Sequence, residues 1–322
     1  MIPALELTKL GKYYDSDDHG RSVIVEDFNL SIAHGEFVCI IGHSGCGKST
    51  VLSIVMGLND ATAGGVIVAG REVVGPGLDR GVVFQSSALL PWLTARENVL
   101  LAVDQINQRK SRKERGALAG KYLAAVGLNA VAEVYPEELS AGMRQRVGIA
   151  RALALEPTVL LLDEPFSLLD VVTRMELQDE LIQLCAAERK TVLMVTHDVD
   201  EALLLADRIV MMTNGPAATV GEILTVPFTR PRDRFEILAD PIYDRTRAQL
   251  IQFLEERADQ GKIETTPTHK QKAQEGERAV SAEELFVIEK YTGFNRFRSR
   301  YRNQAAVADR TAHLAGAEAK AL

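Results

Sequence analysis

The segment from Gly42 to Thr50 has the residue types and the spacing of a site that binds phosphate. Its sequence, Gly-His-Ser-Gly-Cys-Gly-Lys-Ser-Thr, fits the pattern GxxxxGK[ST] and follows an apolar stretch, 36–41, that predicts a buried strand. Glycines let successive backbone N–H groups converge on one anion, and a helix that begins near Ser49 adds its positive end. The natural ligand is a polyphosphate. The alternative is an ordinary glycine turn, which chance would give this spacing in roughly one chain in a hundred.

Within this loop, the residue types divide the work of holding a polyphosphate. We expect Lys48 to reach the β- and γ-phosphates as a point charge and the hydroxyl of Ser49 to bind Mg²⁺. The residues expected to bind the nucleotide are Gly42, Ser44, Gly45, Cys46, Gly47, Lys48, Ser49 and Thr50.

Two adjacent carboxylates follow a second apolar run, 159–162, which also predicts a strand. Open parallel sheets bind ligands at the carboxyl ends of their strands. We therefore expect Asp163 to hold Mg²⁺ and Glu164 to polarise the water that attacks the γ-phosphate. Because acidic pairs are also common at solvated strand ends, this pair acquires its meaning only together with the phosphate loop.

Between these two sites lies LSAGMRQRVGIARAL, residues 139–153, which resembles the LSGGQ signature of the ATP-binding-cassette (ABC) family. The order of phosphate loop, signature and acidic pair is that of this family. The resemblance implies an α/β fold of the P-loop NTPase class, with a RecA-like core, an antiparallel β subdomain and a helical subdomain. It also implies a head-to-tail dimer of cassettes, in which Ser140, Ala141 and Gly142 of one copy face the γ-phosphate held by Lys48 of the other.

The signature departs from the family pattern at two positions, Ala141 and Met143. If the first position required a positive φ or a close backbone approach, alanine would cost about 1 kcal/mol relative to glycine. Ser140 and Gly142 remain, so the resemblance implies an altered but competent signature. A helix merely capped by serine is the alternative.

Four further positions match the family one by one. Gln85 matches the glutamine that touches Mg²⁺ or the attacking water, and His197 matches the switch histidine that contacts the γ-phosphate. Asp170 matches the aspartate that crosses the dimer interface. Tyr14 resembles the aromatic residue on which adenine stacks, although its neighbour Tyr13 is a rival and core packing is a further alternative. Each match is weak alone, and their order along the chain gives them weight.

Composition is that of a large globular enzyme: 322 residues, 46% hydrophobic and 25% charged, with a net charge of −7. No apolar run approaches the roughly 18 residues that span a bilayer, and the N-terminus lacks a signal peptide pattern. We therefore expect a protein that stays in the cytosol. The resemblance to the ABC family implies a peripheral position on the cytoplasmic face of the inner membrane. The three cysteines show no metal-ligand spacing and are expected as thiols. A bulky reagent on Cys46 should block ATP binding unless nucleotide protects it.

The rest of the chain predicts a modular organisation. Alternating residues at 5–10, 23–32 and 65–68 predict an antiparallel sheet, and 91–155 is largely helical in pattern. The spacing from Gln85 to Ser140 excludes a long coiled-coil insertion. The expected parts are an ABC domain at 1–228, with its helical subdomain at about 91–155, a tail helix at 229–258, a flexible linker at 259–280 and a helical or disordered extension at 281–322.

Partners are implied by two segments that resemble membrane importers. The segment 86–94, with Trp92 as an exposed ridge, lies where importers of the family receive a coupling helix. Within it, LLPWLT resembles the subgroup that imports nitrate, sulfonate, taurine and bicarbonate. The later segment 231–254 resembles the tail of nitrate-type subunits. The resemblance implies an ATPase subunit of an importer for nitrate or nitrite. Its partners would be transmembrane permease subunits, a periplasmic or lipid-anchored solute-binding protein and a second cassette, identical or not.

Several alternatives stay open. The solute can be a sulfonate, taurine, cyanate or bicarbonate, since the solute never contacts this chain, and Trp92 can be core filler. A non-transport ABC ATPase that gates a soluble assembly is a rival function, whereas a small-molecule kinase leaves the signature unexplained. Arginines alternate with aromatics at 294–302, which suits acidic lipid, RNA or an acidic protein surface. We expect this segment to be a docking helix or a disordered appendage, and we do not expect nucleic acid as a partner.

Overall fold

A computed structural model describes residues 2–16, 20–230 and 232–261. Within them, residues 2–87 and 155–261 belong to one compact unit, and residues 88–154 belong to a second. The predicted extension at 281–322 lies outside the described residues, as does the predicted linker beyond residue 261.

The first unit is built on a sheet of six strands in the order β10-β9-β3-β8-β7-β6. The strands are β3 (Phe37–Ile41), β6 (Arg80–Val83), β7 (Val159–Asp163), β8 (Thr191–Val195), β9 (Arg208–Met212) and β10 (Val220–Thr225). All neighbours are parallel except β10, which pairs antiparallel with β9. Since parallel strands end at one edge of a sheet, the segments that follow β3, β8, β7 and β6 lie along one edge. The strands predicted around 36–41 and 159–162 are confirmed.

A second sheet in this unit is antiparallel, with strands in the order β2-β1-β4-β5. Its members are β1 (Leu5–Ser16), β2 (Gly20–Ile32), β4 (Ala63–Val68) and β5 (Arg71–Glu72). Apolar residues of the two sheets share one buried core, in which Phe28 of β2 and Val38 of β3 are fully enclosed. This arrangement confirms the α/β fold with an antiparallel sheet beside the nucleotide core.

The helices of the first unit are α1 (Lys48–Met56), α5 (Val171–Glu188), α6 (Val199–Leu205), α7 (Arg234–Ala239) and α8 (Pro241–Gly261). Helices α5 and α6, which follow Asp163 and Glu164 in the sequence, occur where the alternation of strands and helices predicts them. The tail differs from the prediction of one helix, because Asp240 is not helical and Pro241 begins a new helix. Since α8 continues to Gly261, the first residues of the predicted linker, 259–261, are helical.

The second unit is helical within its described residues, as its pattern predicts. It contains α2 (Ala95–Ile106), α3 (Arg112–Ala125) and α4 (Ala141–Leu153), with short 3₁₀ turns at Asn129–Val131 and Pro136–Glu138. Helices α2 and α3 each begin with a capping box, Thr94 with Glu97 and Ser111 with Glu114. Among the described helices of both units, none has the length and apolar character needed to cross a membrane.

Candidate nucleotide site

The predicted phosphate loop joins β3 to α1 at the carboxyl edge of the parallel sheet. Gly45 and Gly47 have φ values of 81° and 102°, a backbone that side chains rarely adopt, so glycine is required at both. At Gly42, an added Cβ would lie 2.9 Å from the Sγ of Cys46. The GxxxxGK[ST] spacing thus reflects the shape of the turn as well as ligand chemistry.

Lys48 lies inside this turn and is only 6% exposed. Its Nζ donates hydrogen bonds to the carbonyl oxygens of Gly42, at 2.8 Å, and His43, at 2.9 Å. These neutral acceptors hold the ammonium where a polyphosphate can replace them with stronger, charged partners.

Ser49 and Asp163 come together from two elements, the start of α1 and the end of β7. The Oγ of Ser49 donates to Oδ1 of Asp163 at 3.4 Å. Mg²⁺ prefers hard oxygen ligands and is commonly held by one or two protein groups plus phosphate oxygens and water. A hydroxyl and a carboxylate therefore fit this ion. No cluster of three or more His, Cys, Asp or Glu suited to a metal occurs among the described residues.

Glu164 and His197 form a pair that sequence reasoning did not predict. Nδ1 of His197 lies 3.2 Å from Oε2 of Glu164, and both follow adjacent strands, β8 and β7. Glu164 has a φ of 43°, a conformation that costs on the order of 1–3 kcal/mol unless its surroundings impose it. Its N–H donates to the carbonyl of Val195 at 3.0 Å, which fixes the residue between the two strand ends. The adjacency of β7 and β8 was the signal that could have revealed the pair.

Gln85 is connected to the same segment through Ser167, a residue that the sequence did not single out. Nε2 of Gln85 donates to Oγ of Ser167 at 3.1 Å, and that hydroxyl donates to the carbonyl of Glu164 at 3.0 Å. The glutamine thus lies beside the acidic pair.

Tyr14 and Tyr13 differ in ways that favour Tyr14 as an adenine platform. Tyr14 is 48% exposed, its hydroxyl accepts from Nδ2 of Asn59 at 3.2 Å, and Nζ of Lys12 lies 4.8 Å from the centre of its ring. The ring of Tyr13 is covered on one face by the guanidinium of Arg21, at 3.2 Å. An open cavity of about 460 Å³ adjoins the phosphate loop; it is lined by Ser22, Val23, Ile24, His43, Ser44, Gly45, Cys46, Asn214, Gly215 and Pro216.

The signature lies in the second unit, at the start of α4. The Oγ of Ser140 accepts from the N–H of Met143 at 3.2 Å and caps the helix. Ala141 is the first helical residue and Gly142 the second, and Ala141 has no positive φ. A strain cost from a positive φ is therefore absent at Ala141.

Asp170, predicted at the dimer interface, begins α5 in the first unit. Its carboxylate accepts from the N–H groups of Val172 and Thr173, both at 3.1 Å, and caps the helix. Hydrogen bonds from Thr173 lead the causes that hold the pKa of Asp170 below its ordinary value. The residue thus stays charged at neutral pH.

Taken together, a phosphate loop, paired carboxylates and a histidine at the edge of one parallel sheet define a P-loop ATPase core. The model of the ABC transporter family matches residues 25–167, which contain the phosphate loop, the signature and the acidic pair. The bicarbonate transport ATP-binding protein CmpD of Synechocystis sp. is 53% identical over 253 residues, 79% of this chain and 89% of that protein. The nitrate import ATP-binding protein NrtD of Synechococcus elongatus is 52% identical over 238 residues, 74% of this chain and 87% of that protein.

A solved structure agrees with these relatives. The dimeric post-hydrolysis structure of the ATP-binding cassette MJ0796 bound to ADP and Pi is 33% identical, with a TM-score of 0.62, and covers 70% of this chain and all of that one. The chain belongs to the ABC transporter family and is one of its ATP-binding, ATP-hydrolysing members. The predicted resemblance and activity are confirmed, whereas the roles of individual residues remain predictions.

Proposed function

We propose that this chain is the ATP-hydrolysing subunit of an importer for a small anion, nitrate or nitrite. The observation that carries the proposal is the similarity to import ATPases for small oxyanions, among them the nitrate import protein NrtD, 52% identical over most of both chains. The resemblance of residues 231–254 to nitrate-type subunits favours nitrate or nitrite. In this role the chain sits on the cytoplasmic face of the inner membrane. It works with permease subunits, a second cassette and a solute-binding protein on the other side.

Binding of ATP uses the phosphate loop and the residues beside it. Lys48 exchanges its two carbonyl partners for the β- and γ-phosphates, and the glycine-rich backbone surrounds the anion. Ser49 and Asp163 would hold Mg²⁺, which neutralises phosphate charge when bound. Tyr14 stacks against the adenine.

Hydrolysis uses the group at the ends of β7 and β8. The carboxylate of Glu164, oriented by its contact with His197, accepts a proton from the attacking water. His197 is 62% exposed at its side chain, so it can turn toward the γ-phosphate while remaining next to Glu164. Gln85, held through Ser167, positions the same water.

The second cassette completes the site. Ser140, Ala141 and Gly142 present the start of α4, whose backbone N–H groups and positive helix end suit the γ-phosphate of the opposing copy. Asp170 would lie at the interface between the copies. The dimeric state of the MJ0796 cassette supports this arrangement.

The permease is proposed to dock on the segment 86–94, of which residues 88–94 belong to the second unit. Pro91 is exposed, whereas Trp92 is half-buried and therefore less exposed than the aromatic ridge expected from the sequence. The buried side chain of Asn98 hydrogen-bonds the backbone of Leu90 and so holds this segment in one shape, which gives a partner a preformed surface.

Bicarbonate is a second candidate solute, since CmpD is 53% identical to this chain. Nitrate and bicarbonate are both planar monovalent oxyanions. Because the cassette does not meet the solute, similarity of the cassette cannot separate them, and the solute-binding partner must do so.

The test is to purify the chain with its membrane and solute-binding partners and measure ATP-driven uptake of labelled nitrate, nitrite and bicarbonate in vesicles. Uptake of nitrate or nitrite that disappears with Glu164→Gln supports the proposal. Uptake of bicarbonate alone replaces it with the second candidate. ATPase activity that co-purifies with a soluble assembly and with no permease overturns it.

A further inference from the structure

The tail helix α8 is fastened at its start to the segment that carries the switch histidine. The hydroxyl of Tyr243 and Nε of Arg247 each bond to Oδ1 of Asp200, both at 2.6 Å. Asp200 lies in the first turn of α6, three residues after His197. Burial acts to raise the pKa of Asp200, but the hydrogen bonds from Arg247 and Tyr243 outweigh it and leave the pKa lowered. Asp200, the residue that holds the start of α8, is therefore charged at neutral pH.

The middle of α8 is seated on β10. Leu250 is fully buried, and Nε2 of Gln249 donates to Oε1 of Glu222 at 3.1 Å. The ring of Phe253 lies directly on Gly221, where an added Cβ would come 2.5 Å from Cζ. Only glycine in the strand allows this close approach.

Leu254, one residue after Phe253 in α8, contacts the phosphate loop. The carbonyl oxygen of Leu254 lies 2.6 Å from Nε2 of His43. Because a carbonyl only accepts, Nε2 carries the proton and donates. The carbonyl of His43 in turn accepts from Nζ of Lys48, at 2.9 Å, and from the N–H of Cys46, at 3.3 Å. A single residue thus joins the backbone of α8 to the ammonium of the loop.

We propose that His43 is a positioning residue for ATP binding, through which α8 holds the phosphate loop in its binding shape. The pattern GxxxxGK[ST] leaves this position free, so nothing in the motif assigns a role to the imidazole. With α8 seated, the loop is preorganised, and less free energy is spent on ordering it when ATP binds. The affinity for ATP consequently depends on a helix outside the nucleotide core. This inference rests on the ATPase activity alone and is independent of the transported solute.

The first test compares His43→Ala with His43→Gln in the full-length chain. Equilibrium titration with a fluorescent ATP analogue should show a dissociation constant raised about three- to ten-fold by His43→Ala, the range for one lost hydrogen bond. His43→Gln keeps an N–H donor at similar reach and should bind within about two-fold of the parent. In steady-state turnover, KM for ATP should rise while kcat changes by less than about two-fold. Gln252→Ala, on the exposed face of α8, is the matched control and should alter neither constant.

A double-mutant cycle separates the proposed path from general loosening. Phe253→Ala unseats α8 near Leu254 and should also weaken ATP binding in the parent, but it should add little in the His43→Ala background. Unchanged binding in His43→Ala overturns the proposal. So does additivity of the two changes, or a Phe253→Ala chain that melts earlier yet binds ATP normally.

Discussion

At the scale of single residues, binding and hydrolysis are assigned to different side chains in different environments. Lys48 is enclosed by the phosphate loop, whereas Glu164 lies at a strained position between two strand ends with His197 beside it. A buried cation suits a permanent role in holding charge. A carboxylate with an exposed, rotatable partner suits proton transfer.

This division predicts distinct defects for two substitutions. Glu164→Gln keeps an oxygen that can accept from His197 but removes the base, so ATPase activity should fall at least about 100-fold. ATP binding should persist, and gel filtration with ATP should show a trapped dimer. Lys48→Ala should instead raise the dissociation constant for ATP, because the phosphates lose their charged partner. Near-normal turnover by the Glu164→Gln chain would remove the assignment of the base.

Cys46 gives a chemical probe of the loop. The thiol is 3% exposed, and burial raises its pKa, so it should react with a bulky maleimide more slowly than a free thiol. Once modified, it should block ATP binding, and prior addition of ATP should slow the loss. Cys46→Ser, of similar size, should stay active and become resistant. Equal sensitivity of the serine variant would assign the effect to Cys39 or Cys185, which are also buried.

Site residues were predictable from the sequence where the residues that act together are neighbours along the chain. Residues in the phosphate loop and the acidic pair follow from spacing, because a strand, a turn and a helix are contiguous there. Ser167 and His43 could not be predicted, since their partners, Gln85 and Leu254, are distant in sequence and meet only in the folded chain.

At the scale of elements, the loop 90–94 is shaped by one buried amide. Asn98 is fully buried, accepts from the N–H of Leu90 at 2.8 Å and donates to the carbonyls of Leu90, Leu93 and Thr94. Uncharged hydrogen bonds from one side chain thus hold the backbone of this loop.

Asn98→Ala should therefore lower the free energy of unfolding by about 2–4 kcal/mol, because several buried backbone groups lose their partner. Urea unfolding measures this directly. Gln105→Ala, on the same helix but only partly buried, should change stability by less than about 1 kcal/mol. In the proposed importer, solute uptake should fall more than the ATPase rate, since the loop that we propose as the permease contact loses its shape. Equal losses for the two variants would deny the amide this role.

Helix α6 carries a buried carboxyl, Glu201, that makes stability depend on pH. It is 6% exposed and accepts from Nε2 of Gln178 at 2.8 Å, an amide that Arg234 orients through its oxygen at 2.9 Å. Burial is the main cause that raises the pKa of Glu201, with Asp198 adding to it and hydrogen bonds from Thr196 and Gln178 and the charge of Arg174 opposing it. Compared with the unfolded state, the folded state thus favours the protonated form of the Glu201 carboxyl.

The sign of the effect follows from that raised pKa. The stabilising contribution is complete below the ordinary value of 4.5 and is lost as pH rises through the folded value. Glu201→Gln is neutral at every pH and keeps the oxygen that Gln178 bonds. It should therefore stabilise the chain more at pH 8 than at pH 5, as measured by urea midpoints at both. A difference that does not grow with pH would contradict the buried-carboxyl account.

Elements were predictable in proportion to their own periodicity. The buried strands and α5 follow from apolar runs and alternation, and α3 begins within a charged segment because Ser111 and Glu114 form a capping box. The break between α7 and α8 was missed, although Asp240-Pro241 carries the signal. Seating of α8 on Gly221 has no local signal at all.

At the scale of the whole molecule, the phosphate loop and the signature belong to different units of the chain. A site completed by a second copy makes a prediction that a self-contained site does not. Ser140→Asp is a suitable change, since aspartate caps a helix as well as serine and α4 should persist, while its charge repels the phosphates of the opposing copy.

Chains carrying Lys48→Ala alone, or Ser140→Asp alone, should each be nearly inactive as ATPases, because every site in each homodimer lacks one component. When the two are mixed, a mixed dimer contains one site with an intact Lys48 from one copy and an intact Ser140 from the other. Random pairing then yields about half mixed dimers with one working site of two, so ATPase activity should recover to roughly a quarter of the parent value. Recovery should increase with the fraction of mixed dimers, which native mass spectrometry can count. A mixture as inactive as its components would mean that no working site is shared between copies.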